Sequence, residues 1–267
     1  MGSRSQPHRV SFRIRLFVVL PVLLVMAGAA AAADPPPTLA THARERIPVL
    51  MYHRITCPPP DARNPSLWVC PWRFERTMAA LKAAGWDTLT ATQAANRLRV
   101  DYQIPDKTFV IVIDDGWRDG FDNAYPILEK YGFEAVYAVV VGRVGVKPNA
   151  MTWSELIELM DSGHEIANHT MSHANVASPT VDLWRQIERS SQILGEKLGR
   201  RPRTFVYPYG SYNATAIEQV RQSGFVVAFT TEYGCVRTWA DRLTEERTRV
   251  NGSDTSARVL EKVASCA

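Results

Sequence analysis

The sequence predicts an α/β fold of the barrel type, on three observations. Short apolar runs alternate with amphipathic helical periods along the chain. Glycines stand just past the predicted helix ends. The residues fit for chemistry fall at the carboxyl ends of predicted strands, where barrels of this kind carry their sites. Strands alternating with helices imply parallel pairing through right-handed crossovers. Six or seven such units suit a single domain.

The apolar runs predict strands over Pro48–His53, Phe109–Ile113, Ala135–Val141, His164–Asn168, Thr204–Tyr207 and Val226–Thr230. Helical periodicity predicts helices over Trp72–Ala84, Ala91–Leu98, Asn123–Tyr131, Thr152–Asp161, Val181–Leu198 and Asn213–Ser223. Thr152 and Glu155 have capping-box spacing, in which each side chain satisfies the other residue's backbone N–H. Gly85, Gly132, Gly163, Gly199 and Gly224 supply helix ends that need a left-handed residue.

The first 33 residues read as a secretory signal peptide. Arg4, Arg9, Arg13 and Arg15 precede the apolar stretch Leu16–Met26, and Ala29–Ala33 offers an Ala-x-Ala cleavage site. A retained anchor is the competing reading, but Pro21 and the small alanines weaken a span that would need about 20 apolar residues. Residues 34–46 form a linker stiffened by Pro35, Pro36 and Pro37. The main domain is expected over 47–252, followed by a C-terminal segment at 253–267. The leader holds four of the 31 basic residues and none of the 27 acidic ones, so 27 of each remain. The high isoelectric point therefore belongs to the leader, and nothing points to nucleic acid as a partner. The expected location is outside the cytoplasm, periplasmic or extracellular, with no stable membrane span after cleavage.

The four cysteines, Cys57, Cys70, Cys235 and Cys266, suit disulfides in an oxidising compartment. Cys57–Cys70 is the preferred pair, since it closes the Pro58-Pro59-Pro60 loop. Such a closure contributes roughly 3 kcal/mol in the chain-entropy description.

Asp114-Asp115-Gly116 follows the strand Phe109–Ile113, and His169-Thr170-Met171-Ser172-His173 follows the strand His164–Asn168. One carboxylate and two imidazoles form a three-ligand set with an open position, and a second carboxylate stays free as a base. That combination suits hydrolysis of an acyl bond by an activated water. Oxygen and nitrogen donors favour zinc, with cobalt, nickel or iron also suited. His169 and His173 face one ion if the chain turns helical after the strand. Spacing does not say which aspartate is the ligand. His164-Glu165-Ile166-Ala167-Asn168-His169 imitates a zinc-protease motif with one residue too many, so His164 and Glu165 are read as strand residues. Asp119 and Asp122 are read as turn and cap residues. Trp117 is a candidate to pack on a sugar ring or an acetyl methyl, and Trp153, Trp184 and Trp239 are assigned to helix faces or the core.

Across about Ile47–Val250 the chain resembles the polysaccharide deacetylases of carbohydrate esterase family 4, whose unit is the NodB homology domain. The Pro48–His53 strand, Val112-Ile113-Asp114-Asp115-Gly116, His169–His173 and Val206-Tyr207-Pro208-Tyr209-Gly210 carry the likeness. It implies a distorted (β/α)7 barrel, with Asp114 as general base and Asp115, His169 and His173 as ligands of a divalent metal, zinc by preference. It also implies an oxyanion contact from the Tyr209 backbone N–H. Two positions depart from the family pattern. Val206 replaces the motif arginine, and Arg247 or Arg249 from a C-terminal strand is expected to take its place beside the base. No histidine follows His173 to serve as the C-terminal acid. His42 lies in the N-terminal segment, whereas His53 ends the first strand, so His53 is the expected acid. The expected reaction is removal of N-acetyl groups from a polysaccharide containing N-acetylglucosamine. Esterase action on O-acetylated xylan and an inactive glycan-binding module are the alternatives. Acetate release across acetylated glycans separates all three.

Overall fold

The computed structural model describes residues 46–100, 104–236, 240 and 242–266. The expected signal peptide at 1–33, the linker except its last residue, His42 and Trp239 lie outside the described residues.

Seven parallel strands close a barrel: β1 (Val49–Tyr52), β3 (Thr108–Ile113), β4 (Val136–Val139), β5 (Glu165–Asn168), β6 (Thr204–Val206), β7 (Val227–Tyr233) and β8 (Glu245–Arg249). Closure comes from β1, which pairs with β3 on one side and β8 on the other. A two-residue β2 (Asp87–Thr88) lies against β3 outside the ring. The barrel is irregular, with one registered pair joining β5 to β6 and a shifted register between β7 and β8. This is the distorted (β/α)7 barrel that the sequence implied.

Alternation along each strand sorts the side chains into two sets. Val49, Val110, Val112, Val136, Ala138, Ala167, Val206, Val227 and Phe229 fill the interior. Their neighbours Leu50, Tyr52, Phe109, Ile111, Ile113, Tyr137 and Val139 pack outward against the helices. Strands buried on both faces must be apolar throughout, which is why Thr108–Ile113 reads as an unbroken run.

The helices are α1 (Pro71–Ala83), α2 (Ala91–Arg99), α3 (Tyr125–Tyr131), α4 (Trp153–Asp161), α5 (Ser190–Leu198), α6 (Ala214–Gln222) and α7 (Ser256–Ala264). Most cover the outside, but α2 does not. Its Ala91, Ala94 and Ala95 join the interior cluster. They seal the amino-terminal mouth of the barrel, leaving a cavity of about 10 Å³ against Val49, Val110 and Val227. The capping box at α4 forms, with Thr152 N–H donating to Glu155 Oε2 and Glu155 N–H to Thr152 Oγ1.

Two predicted helices differ at their starts. The period over Asn123–Tyr131 opens in a π-helical turn, Gly120–Ala124, before α3. The period over Val181–Leu198 starts at Trp184, with a π-helical turn over Trp184–Arg189 leading into α5. The segment 253–267 carries α7, whose Val259 and Val263 are buried in the same cluster as Phe74, Met78 and Leu81 of α1. Cys57–Cys70 is bonded as expected, and Cys235–Cys266 pairs the remaining two.

Candidate active site

Strand parity places the first aspartate. Val110 and Val112 face the barrel interior, so Asp114 points inward one step past the end of β3, where its N–H donates to the Tyr52 carbonyl. Glu245, Arg247 and Arg249 share one face of β8 by the same alternation, and Glu245 lines the interior cavity. Arg247, 0 % exposed, donates through both terminal nitrogens to Asp114, Nη1 to Oδ1 and Nη2 to Oδ2, each at 2.9 Å. Its Nε donates to the Thr230 carbonyl at 2.8 Å. Burial by itself would raise the Asp114 carboxyl, but the Arg247 guanidinium holds it below the usual carboxylate value. Of the two arginines expected beside the base, Arg247 occupies the place. Val206 is also inward-facing, so β8 supplies the cation to a position where β6 offers only an apolar side chain.

The second aspartate is turned elsewhere by the backbone. Asp115 and Gly116 adopt left-handed conformations, φ 77° and 71°. A residue with a Cβ is uncommon there, and the turn swings the Asp115 carboxylate away from Asp114. A Cβ on Gly116 would also meet Val139 at 3.2 Å, so the tight turn and the close strand both require glycine. Asp115 Oδ1 lies 3.1 Å from His173 Nε2 and 3.7 Å from His169 Nε2. Its Oδ2 accepts from Trp117 Nε1 at 3.0 Å.

The histidines converge by a route the sequence did not predict. Residues 169–173 form a loop and not a helical turn. Thr170 and His173 are left-handed, φ 67° and 61°, and Thr170 Oγ1 accepts from His173 N–H at 2.9 Å. The loop is fastened to the end of β4, where Val141 N–H donates to Thr170 O and Gly142 N–H to Met171 O. His169 Nδ1 sits 2.7 Å from the Val206 carbonyl, which only accepts, so Nδ1 carries the proton and the Nε2 lone pair is free. Burial pushes the His169 pKa down to about 4, and the ring is neutral at pH 7.

Asp115, His169 and His173 each offer a donor atom, and the three atoms lie within 4.8 Å of one another. A hard oxygen, two imidazole nitrogens and a carbonyl fixing one tautomer are what a zinc-type ion requires. The donor set fits the metal. On the rim, His53 Nε2 stands 3.9 Å from Asp114 Oδ2. Burial lowers the His53 pKa, opposed by the charge of Asp114. Tyr209 is left-handed, φ 62°, with its side chain 64 % exposed and its ring 4.6 Å from that of His173.

The family model for polysaccharide deacetylase matches residues 101–228, which hold Asp114, Asp115, His169, His173 and Tyr209. Over that span the chain matches the polysaccharide deacetylase family. A putative polysaccharide deacetylase of Bacillus subtilis (strain 168) is 29% identical over 197 residues, covering 73% of this chain and 68% of that one. The poly-β-1,6-N-acetyl-D-glucosamine N-deacetylase of Escherichia coli (strain K12) is 26% identical over 199 residues, covering 58% of this chain but only 30% of its own length. Among solved structures, the Streptococcus pyogenes deacetylase PplD in complex with acetate superposes with a TM-score of 0.76 at 26% identity, covering 82% of this chain and 98% of that one.

Several features of this chain were not legible in its motifs. Trp117 is not a free platform for a sugar, because the guanidiniums of Arg54 and Arg143 lie 4.8 and 5.0 Å from its ring centroid. It steadies Asp115 instead. Replacing Trp117 with Phe keeps the ring and removes the N–H, so metal affinity is expected to fall about 10- to 100-fold. A competition titration with a zinc chelator reads this directly, and unchanged affinity would refute the role. Asp119 does not cap a helix but binds Arg54 Nε and the Ile55 N–H. Asp122 pairs with Arg118. His164 is a buried strand-edge group accepting from the Ala135 N–H, and Glu165 is taken up by Thr92 and Thr204. Trp153 packs on the core, while Trp184 is 52 % exposed on its π-helical turn.

Proposed function

We propose that this deacetylase removes N-acetyl groups from an exported polysaccharide containing N-acetylglucosamine, with Asp115, His169 and His173 holding a divalent ion, zinc by preference. The observation that carries the reading is the division between adjacent carboxylates. Asp115 lies among imidazoles and Asp114 is clamped by Arg247. A bound ion would supply Lewis acidity, bringing a water's pKa from near 16 to about 7 and polarising the acetamide carbonyl.

The chain's own residues do the rest. Asp114, kept ionised by Arg247, accepts the proton of the attacking water. The Tyr209 backbone N–H donates to the oxygen on which negative charge develops. His53 is neutral at rest because it is buried. It becomes an acid only after receiving a proton, and Asp114 Oδ2 at 3.9 Å is the group positioned to hand it one. Protonation of the amine then breaks the carbon–nitrogen bond, and acetate and the free amino sugar leave.

The name of the Escherichia coli relative supports an N-acetylglucosamine polymer as substrate. Among the described residues no helix is long and apolar enough to cross a membrane. On the sequence features alone we further propose a signal peptide at 1–33, a linker at 34–46, the catalytic domain at 47–252, a C-terminal segment at 253–267, and release into the periplasm or medium. Acetate release from poly-N-acetylglucosamine, chitooligosaccharides, peptidoglycan fragments and acetylated xylan tests the substrate, and hydrolysis confined to xylan would overturn it. His53→Ala is expected to retain metal and lose about 10²- to 10⁴-fold in turnover. Wild-type turnover in that variant would remove His53 from the mechanism.

A further inference from the structure

We propose that Arg143 is a carboxylate-binding, specificity-determining residue at the mouth of the metal site. The proposal rests on the deacetylase reading for the source of its ligand, but not for the binding itself.

Arg143 ends the short 3-10 turn Val141–Arg143 that follows β4, at the carboxyl end of the barrel. Its position is imposed by backbone. Gly142 N–H donates to Met171 O at 2.8 Å, and a Cβ on Gly142 would meet that oxygen at 2.7 Å. The turn is therefore locked to the loop that carries His169 and His173. From there the guanidinium lies 5.0 Å from the Trp117 ring centroid. The indole in turn donates to Asp115.

Three other arginines near the site are paired. Arg247 is clamped to Asp114, Arg54 to Asp119, and Arg118 to Glu155. Arg143 differs. Its Nη1 is buried and has no hydrogen-bond partner among the described residues. Among the described residues its ion-pair neighbour is Asp115 Oδ1 at 3.9 Å, and that oxygen faces His169 and His173. A cation beside a cation site, with the Asp115 carboxylate engaged by the histidines, is repulsive unless a further anion enters. A guanidinium fork in this setting selects a carboxylate. Two sources can present one: the acetate that the reaction releases, and a carboxyl group carried by the glycan itself.

The test uses the zinc-loaded full chain and the variants Arg143→Met and Arg143→Gln. Calorimetric titration with sodium acetate needs no turnover, so it reports on Arg143 even if no acetylated glycan is hydrolysed, an outcome that would sink the functional reading alone. In a parallel arm, kcat/KM is compared for a neutral N-acetylglucosamine oligomer and for one containing N-acetylmuramic acid. The expected result is acetate binding weakened roughly 10-fold or more in both variants, the loss of a charged hydrogen bond, with zinc affinity no weaker than wild type. Weakened acetate binding with an unchanged substrate ratio identifies the product as the ligand. A roughly 10-fold fall in relative rate on the muramic-acid oligomer identifies the glycan carboxylate. If neither acetate affinity nor the substrate ratio moves in either folded variant, the proposal is overturned.

Discussion

Arg247→Met is expected to lower both stability and activity, and to leave a pH signature that separates the two. The substitution leaves the Asp114 carboxylate buried without its counter-ion. Breaking a buried pair from one side costs about 3–5 kcal/mol. For a domain of this size that is a fall of roughly 6–20 °C in the melting temperature. In the wild type the folded pKa of Asp114 is depressed. Its contribution to stability is therefore full above the unfolded carboxyl pKa of about 3.9 and is lost as pH falls through the folded value. Without Arg247 the burial effect, the largest cause, is opposed only by the lowering from His53 and His169, so the folded pKa rises and the sign is expected to reverse. The variant is then most destabilised at neutral pH and regains relative stability on acidification. The acid limb of kcat/KM moves to higher pH, since the base protonates earlier. Adding Asp114→Asn to Arg247→Met should restore part of the lost stability while abolishing turnover. A melting curve and pH–rate profile identical to wild type would show that the pair does neither job.

His173→Ala, with Asp115→Asn as its partner experiment, is expected to abolish activity and metal binding together. The lost Lewis acidity is worth several kcal/mol of barrier, or roughly 10³-fold or more in rate. Thermal unfolding gives a readout independent of substrate. A ligand that binds only the folded state at 1,000 times its dissociation constant stabilises it by about 4.1 kcal/mol. Zinc should therefore raise the melting temperature of the wild type reversibly, with a chelator undoing the shift, and should leave both variants unmoved. Because His169 is neutral above about pH 4, that ring remains available for ligation through the neutral range. Full activity in chelator-treated, metal-free protein would refute the metal's role.

Much of this was legible in the chain, for physical reasons that differ from place to place. Thr108–Ile113 announced itself because a parallel strand buried on both faces has no polar position to interrupt the run. Thr152 and Glu155 marked the start of α4 because backbone donors there have no other partner. The converse explains β8. Glu245-Glu246-Arg247-Thr248-Arg249 contains no apolar residue, so hydropathy passes over it, yet its inward Arg247 clamps Asp114. Strand parity puts Arg247 and Arg249 on the same inward face, so only the position of each along β8 relative to Asp114 separates them. The histidine spacing pointed to a pair that the fold does bring together, but through the wrong geometry. Two left-handed residues and a hydrogen bond from the His173 N–H to Thr170 Oγ1 do what a helical turn was expected to do, and left-handed backbone leaves little trace in residue type when the residues are Thr and His. Trp117 was singled out as a sugar platform and not as a support for Asp115, and Arg143 carried no signal, because the packing of its guanidinium on that indole joins β3 and β4 loops distant in sequence.

The helix wedged into the amino-terminal mouth gives the barrel a floor. With Ala91, Ala94 and Ala95 filling that end, the well is blind, and nothing as thick as a sugar chain can thread through it. A long glycan must instead lie across the upper rim and dip one acetamide at a time toward Asp115, His169 and His173. Traffic of substrate and product shares that single doorway. Chain length beyond the few residues spanning the rim should then matter little to turnover, and interior sugars should be as accessible as terminal ones.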